Sequence, residues 1–282
     1  MARDLIEGCL YGGLPYLRMG HGSPLLLATG LTAEHTNPSG FERRMAYWMM
    51  APFAEHFTVY GANRKPELAP GATMSDIAGH YAEAIEHDIG EPVFLLGVYT
   101  GGTVSLQLAI DRPHLVRRLV LRASACRLSP HGRHAQAELA QLTKEGDHRR
   151  AWSQLMEAAA PRALRYPARA LAWTAGPSMA AEDPSDMLIT IAAEDQFDAE
   201  PHLERVSAPT LVVGGGADPF YSSDLFRRTA AGVQDGRAVI FPNKGHGYAS
   251  ASRTASNIVL GFLLAGSTAD STQPTGPGSA PS

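Results

Sequence analysis

Three segments of this chain hold residues whose types and spacing could do chemistry. In the first, Gly97-Val98-Tyr99-Thr100-Gly101-Gly102 follows the apolar run Val93-Phe94-Leu95-Leu96 and precedes a helical pattern. That is the setting of a nucleophile elbow, G-x-S-x-G, in which a strand turns sharply into a helix and presents a reactive hydroxyl at its tip. Tyrosine occupies the tip here, so the spacing predicts the turn while the residue type leaves the reaction open. The second segment is Leu211-Val212-Val213-Gly214-Gly215-Gly216-Ala217-Asp218, a strand pattern that runs into an acid. The third is Pro242-Asn243-Lys244-Gly245-His246-Gly247, again just after a strand pattern. An aspartate bonded to one imidazole nitrogen fixes the tautomer, so that the other nitrogen can face a reacting group. Singly, Asp218 reads as a helix cap and His246 as a structural histidine in a glycine-rich loop. In the order tip residue, acid, histidine they read as a catalytic set.

On these motifs and their order the chain resembles the α/β-hydrolase superfamily over roughly residues 12 to 265. The closest likeness is to a bacterial group whose elbow reads G-V-S-T-G-G and which carries a helical cap. The resemblance implies an α/β-hydrolase fold, a mostly parallel central sheet flanked by helices with an inserted helical cap. It implies catalytic roles for Tyr99, Asp218 and His246. It also matches Thr29-Gly30-Leu31-Thr32 to the oxyanion loop, which makes the backbone N–H groups of Leu31 and Thr100 the expected donors to a developing negative oxygen. It implies no cofactor and no metal, and it is compatible with an intermediate of specialised metabolism as substrate.

Three readings of Tyr99 stand side by side. As the nucleophile of an ester or thioester hydrolase, its phenol ionises near pH 10, below an aliphatic hydroxyl, so His246 could deprotonate it. However, its oxygen lies beyond the position a serine oxygen would take. As an acid, a base or a hydrogen-bond donor, it would assist elimination, cyclisation, isomerisation or carbon–carbon cleavage with no acyl-enzyme. As a blocking residue, it would leave a protein that only binds a ligand.

Around the tip, Thr32, His35, Asn37, Met45, Trp48, Met49, Phe220 and Tyr221 are candidate pocket residues. Their chemistry favours a mostly apolar small molecule. Gly214-Gly215-Gly216 lacks the G-x-G-x-x-G frame of a dinucleotide site. His80, His87 and Asp88 fall on or near an amphipathic helix and read as solvated residues rather than metal ligands.

Positioning such groups requires alternating strands and helices. Apolar runs at 25–28, 57–60, 93–96, 119–121, 210–213 and 238–241 suit strands covered on both faces. Ile77, Tyr81, Ile85 and Ile89 repeat on one face of a helix that Thr73 or Ser75 can cap and Gly90 stops. Further helices are predicted over roughly 101–111, 222–231 and 253–264. Residues 1–126 and 206–265 therefore read as the core and 127–205, proline-punctuated and helical in period, as the cap. Residues 266–282, rich in Gly, Ser, Thr and Pro, read as a disordered tail.

With 282 residues, 44% of them apolar and 18% charged, the chain can bury a sizeable core. A formal charge of −4 gives no reason to expect a nucleic-acid partner or an anionic membrane surface. Cys9 and Cys126 are too few and too far apart for a disulfide framework. The charged start, Met1-Ala2-Arg3-Asp4, has no signal-peptide core, and the expectation is a cytoplasmic enzyme.

Overall fold

The computed structural model describes residues 5–267. Two strands, β1 (Ile6–Leu10) and β2 (Leu14–Gly20), form a hairpin, followed by β3 (Ser23–Ala28), α1 (Gly40–Met50), β4 (Phe57–Ala62) and α2 (Met74–Ala84). Then come β5 (Val93–Val98), α3 (Thr100–Asp111) and β6 (Val116–Arg122). Four helices, α4 (Pro130–Lys144), α5 (His148–Ala159), α6 (Arg165–Ala175) and α7 (Ser185–Asp195), are inserted before β7 (Thr210–Gly215). The chain closes with α8 (Ser223–Gly232), β8 (Gly236–Phe241), α9 (Tyr248–Ala251) and α10 (Arg253–Ser267).

The eight strands form one sheet in the order β1-β2-β4-β3-β5-β6-β7-β8. From β4 to β8 every neighbouring pair is parallel, and only the β1–β2 and β2–β4 pairs are antiparallel. Successive side chains of a strand point to opposite faces, and the core divides accordingly. Leu26, Leu95, Leu119, Leu121 and Val212 pack with Ile77, Tyr81, Leu108 and Phe226 on one face. Leu25, Leu27, Phe94, Leu96, Val120 and Val213 pack with Phe53, Val259 and Leu263 on the other. Burying each such side chain stabilises by about 1.5–3 kcal/mol, which is why the central strands are the continuous apolar runs of the sequence.

Thr73 caps α2 with a full capping box: its side chain accepts from the Asp76 N–H, and the Asp76 carboxylate accepts from Thr73 N–H. The helix passes into a wider turn at Ile85–Ile89 and stops at Gly90, whose φ is +73°. His87 and Asp88 are solvent-exposed, and both also reach the edge hairpin. His87 stacks on Tyr11 with ring centroids 3.8 Å apart, and Asp88 accepts the Tyr11 N–H, which pins the edge hairpin to this turn. The last helix runs three residues past Leu264, so Gly266 and Ser267 are helical. The rest of the expected tail lies outside the described residues. No helix among the described residues is long and apolar enough to cross a membrane.

One tight approach governs where β5 turns. A Cβ on Gly101 would sit 2.1 Å from the Ala28 carbonyl oxygen and 2.4 Å from that of Thr29. Only glycine lets the first turn of α3 lie against the end of β3. Gly101→Ala is expected to cost about 3 kcal/mol or more, at the upper end for overpacking, read as a lowered urea midpoint. A change within about 0.5 kcal/mol, the level of an ordinary surface substitution, would show that the turn relaxes freely.

Candidate active site

The turn from β5 to α3 holds Tyr99 at φ 55° and ψ −124°. A bulky residue in that region carries about 1–3 kcal/mol of backbone strain. Its neighbours impose the conformation: Tyr99 N–H donates to the Arg122 carbonyl at 3.0 Å, and Gly102 N–H donates to the Tyr99 carbonyl at 2.8 Å. The side chain is partly buried. Its ring passes Gly30, where a Cβ would meet ring carbon Cδ2 at 2.8 Å. It also stacks on the His246 ring with centroids 4.4 Å apart and planes at 29°. Tyr99 thus fills the space between the Thr29–Thr32 loop and the histidine.

The loops after β7 and β8 bring Asp218 and His246 together. His246 Nδ1 lies 2.8 Å from Asp218 Oδ2. Asp218 Oδ1 accepts the N–H groups of Phe220 at 2.8 Å and Tyr221 at 3.1 Å. A carboxylate fixed in this way directs a proton onto Nδ1 and leaves Nε2 as the working nitrogen. Nε2 meets no protein hydrogen-bond partner among the described residues. Phe220 packs on the imidazole from 4.6 Å, so the ring lies between Tyr99 and Phe220. Gly214-Gly215-Gly216 ends β7 against the His246 loop, with Gly216 N–H bonded to Phe241 and Ala217 N–H bonded to Lys244.

The phenol oxygen of Tyr99 does not meet His246. It is hydrogen-bonded to the hydroxyl of Ser250 on α9. Burial pushes the phenol's pKa up, while the Ser250 bond and the charge of Arg122 pull the other way. Arg122, fully buried at the end of β6, donates from Nε to the Ala249 carbonyl at 2.8 Å and from Nη2 to the Ser250 carbonyl at 2.9 Å. Burial brings its own pKa down to about 10.

The Thr29–Thr32 loop is held from beneath by Asn63 and Arg64, which follow β4. Arg64, fully buried, donates to the carbonyls of Thr29 at 3.2 Å and Gly30 at 3.0 Å, and to the Thr32 hydroxyl at 2.9 Å. Asn63 donates to the carbonyls of Glu34 and Thr36. His35 is turned into this network. Because Arg64 Nε–H can only donate, His35 Nε2 accepts at 3.0 Å, and its Nδ1–H goes to the Lys65 carbonyl at 2.9 Å. Burial, with help from Arg64, brings the His35 pKa down to about 4, so it is neutral.

Of the other expected pocket residues, Asn37 donates to the Gly8 carbonyl on β1. Met45 and Trp48 face solvent on α1, 36% and 59% exposed, and Met49 packs on the second core cluster. Phe220 and Tyr221 line the histidine. Leu31 and Ala33 pack against Leu139, Trp152, Met187 and Ile191 of the inserted helices, which therefore roof the loop. Pro161 reaches the His246 loop at Gly245. Thr100 opens α3, so its N–H has no carbonyl one turn earlier to bond. A cavity of about 520 Å³ lies elsewhere, lined by Thr73, Gln107, Lys144, Leu188 and Phe197, and none of Tyr99, Asp218 and His246 borders it.

Glu194, on the buried face of α7, was not among the expected residues. It is 1% exposed and accepts four hydrogen bonds. Oε1 takes the Thr103 hydroxyl at 2.8 Å and the Tyr221 phenol at 3.2 Å. Oε2 takes the Thr100 hydroxyl at 2.9 Å and the Gln136 amide at 2.9 Å. The carboxylate so joins the first turn of α3, the loop beyond Asp218, and the inserted helices α4 and α7.

Comparison with known proteins places these features. The family model described as serine aminopeptidase, S33 matches residues 70–250, well over half of the chain. The chain is 28% identical over 224 residues to a protein named carbamate hydrolase RutD of Variovorax paradoxus, covering 72% of this chain and 78% of that one. It is 31% identical over 193 residues to a pimeloyl-[acyl-carrier protein] methyl ester esterase of Neisseria meningitidis, covering 63% of this chain and 58% of that one. In architecture it is similar to a hydrolase from Pseudomonas aeruginosa, with a TM-score of 0.75 at 21% identity over 93% of this chain and 99% of that one. The mostly parallel sheet flanked by helices is the α/β-hydrolase fold.

Proposed function

Since the chain belongs to the serine aminopeptidase S33 family of α/β-hydrolase enzymes, we propose that it transforms a mostly apolar small molecule by acid–base chemistry at His246 and Tyr99, without an acyl-enzyme. One observation carries this reading: the Tyr99 hydroxyl is bonded to Ser250 while its ring stacks on the face of the imidazole, with the planes at 29°. An imidazole accepts a proton through the in-plane lone pair of a ring nitrogen, not through its face. A nucleophilic Tyr99 needs His246 Nε2 within hydrogen-bond reach of the phenol oxygen. Burial also disfavours the phenolate. His246, oriented by Asp218, serves as the base that takes a proton from the substrate. Tyr99 serves as the acid or donor at a second atom. Elimination, cyclisation, isomerisation and carbon–carbon cleavage all fit that division of labour.

Two relatives named as a carbamate hydrolase and a methyl ester esterase favour a second reading, hydrolysis of an ester-like bond through Tyr99. A pre-steady-state assay with p-nitrophenyl acetate separates the two. The expected outcome for the wild-type protein is slow turnover, no burst of p-nitrophenol and no acetyl group on the Tyr99 peptide by mass spectrometry. A stoichiometric burst with acetylated Tyr99 would establish the nucleophile reading and end the acid–base one.

A further inference from the structure

Moving a proton between two atoms of a substrate takes two groups, one to accept and one to supply. Resting on the acid–base reading above, we infer that Ser250 is a positioning residue that holds Tyr99 as the second proton-transfer group and reloads it from solvent.

The polarity of the hydrogen bonds around Ser250 is fixed by chemistry. Ser250 Oγ lies 3.1 Å from the Gly247 carbonyl oxygen, which can only accept. The single Ser250 proton therefore points to Gly247, and the Tyr99 O–H donates to Ser250 Oγ. This chain, Tyr99 to Ser250 to Gly247, turns the phenol proton away from His246. His246 keeps its own partner, Asp218. The two proton devices are thus separate, although their rings touch.

Arg122 supplies the rigidity. It is buried with no carboxylate partner among the described residues, and its donors go to the carbonyls of Ala249 and Ser250 and to the Ser256 hydroxyl. A buried cation is costly unless its hydrogen bonds are met. Here the arginine clamps the short helix α9 and so fixes the backbone that carries the Ser250 hydroxyl. Ser250 is partly exposed, which opens a route to water.

The steps balance. The Tyr99 O–H turns from Ser250 to the substrate, gives up its proton and leaves a phenolate beside Arg122. Ser250 passes its hydroxyl proton to the phenolate oxygen and takes one from water. Meanwhile His246 gives the proton it removed from the substrate back to solvent, so the site gains and loses one proton per turnover.

The groups facing the Tyr99 phenol are Ser250, the His246 ring, the Asp218 carboxylate behind it and Arg122 beneath. The test needs no substrate. Tyrosines are labelled with ¹³C at Cζ, whose shift reports both hydrogen bonding and ionisation of the phenol, and the Tyr99 signal is assigned by its loss in Tyr99→Phe. Ser250→Ala is expected to move that signal at neutral pH and to raise the pH at which it titrates by about 0.4 to 1 unit, the size set by one hydrogen bond. Ser250→Thr, which keeps the hydroxyl, is expected to restore both. Ser256→Ala, which touches Arg122 but not Tyr99, is expected to leave the signal in place. If Ser250→Ala loses its fold at alkaline pH, the neutral-pH shift decides alone. An unmoved Tyr99 signal in Ser250→Ala, or no rescue by threonine, overturns the inference. The acid–base reading fails separately, through an acetylated Tyr99, whatever this signal does.

Discussion

Tyr99→Ser is expected to convert the protein into an aryl esterase, with hydrolysis of p-nitrophenyl acetate raised on the order of 100- to 1,000-fold over wild type. Activating a hydroxyl with a positioned base and stabilising an oxyanion are each worth at least about 100-fold. Three features around the tip support that expectation. The strained φ of 55° belongs to the turn, held by bonds from Tyr99 N–H and to its carbonyl that do not involve the side chain. His246 already has Asp218 on Nδ1, and its Nε2 has no hydrogen-bond partner among the described residues. The loop that carries Leu31 is fixed by hydrogen bonds from Arg64 and Asn63. Removing that ring frees the volume between Gly30 and the imidazole, where a serine oxygen and an acyl group would meet. Adding His246→Ala to the variant should erase the gain, and the acetyl group should be found on the introduced serine. A folded Tyr99→Ser protein with no gain would show that Leu31, Thr100 or His246 is misaligned for acyl chemistry. The roles proposed for those residues would then fall with it.

Glu194→Ala is expected to be among the most damaging single substitutions in the molecule, lowering stability by about 3–5 kcal/mol. Each buried donor that loses its acceptor costs about 1–3 kcal/mol, and this change strands four: Thr100, Thr103, Gln136 and Tyr221. Threonine hydroxyls can turn to nearby carbonyls and water can enter the space, so the losses do not simply add. Against a typical total of about 5–15 kcal/mol, the result is a large drop in urea midpoint. Glu194→Gln, which keeps the shape and one acceptor, should cost less. Because the carboxylate joins α4 and α7 to α3, hydrogen exchange should quicken first in those helices. A loss below about 1 kcal/mol, an ordinary value for a point substitution, would mean that the four donors find other partners and that Glu194 holds nothing together.

Much of the central sheet was legible because parallel strands buried on both faces must be continuous apolar runs, as β3, β5 and β7 are. The hairpin β1–β2 was not, because an edge strand such as Ile6–Leu10 leaves most of its residues exposed and shows no such run. Tyr99, Asp218 and His246 could be placed because the turns that carry them are written locally, in glycines and in their order along the chain. Ser250, Arg64 and Glu194 act through partners that long stretches of sequence separate from them. Ser250 meets Tyr99 across 151 positions and Glu194 meets Thr100 across 94. One signal was available for Glu194. Met187, Thr190, Ile191 and Glu194 fall at helical spacing on one face, and all four are buried. A carboxylate on an otherwise uncharged buried face marks a buried partner. At Met45 and Trp48, expected as pocket wall, α1 leaves the side chains open to solvent.

The contact between Gly30 and the Tyr99 ring also constrains the order in which this site can change. Gly30 lies outside the positive-φ region, so its backbone would accept any L-residue. What forbids a side chain there is the ring, 2.8 Å from where a Cβ would stand. The two positions are therefore epistatic. Residue 99 must shrink before residue 30 can grow, and a lineage that first enlarged residue 30 would lose access to a tyrosine at the tip.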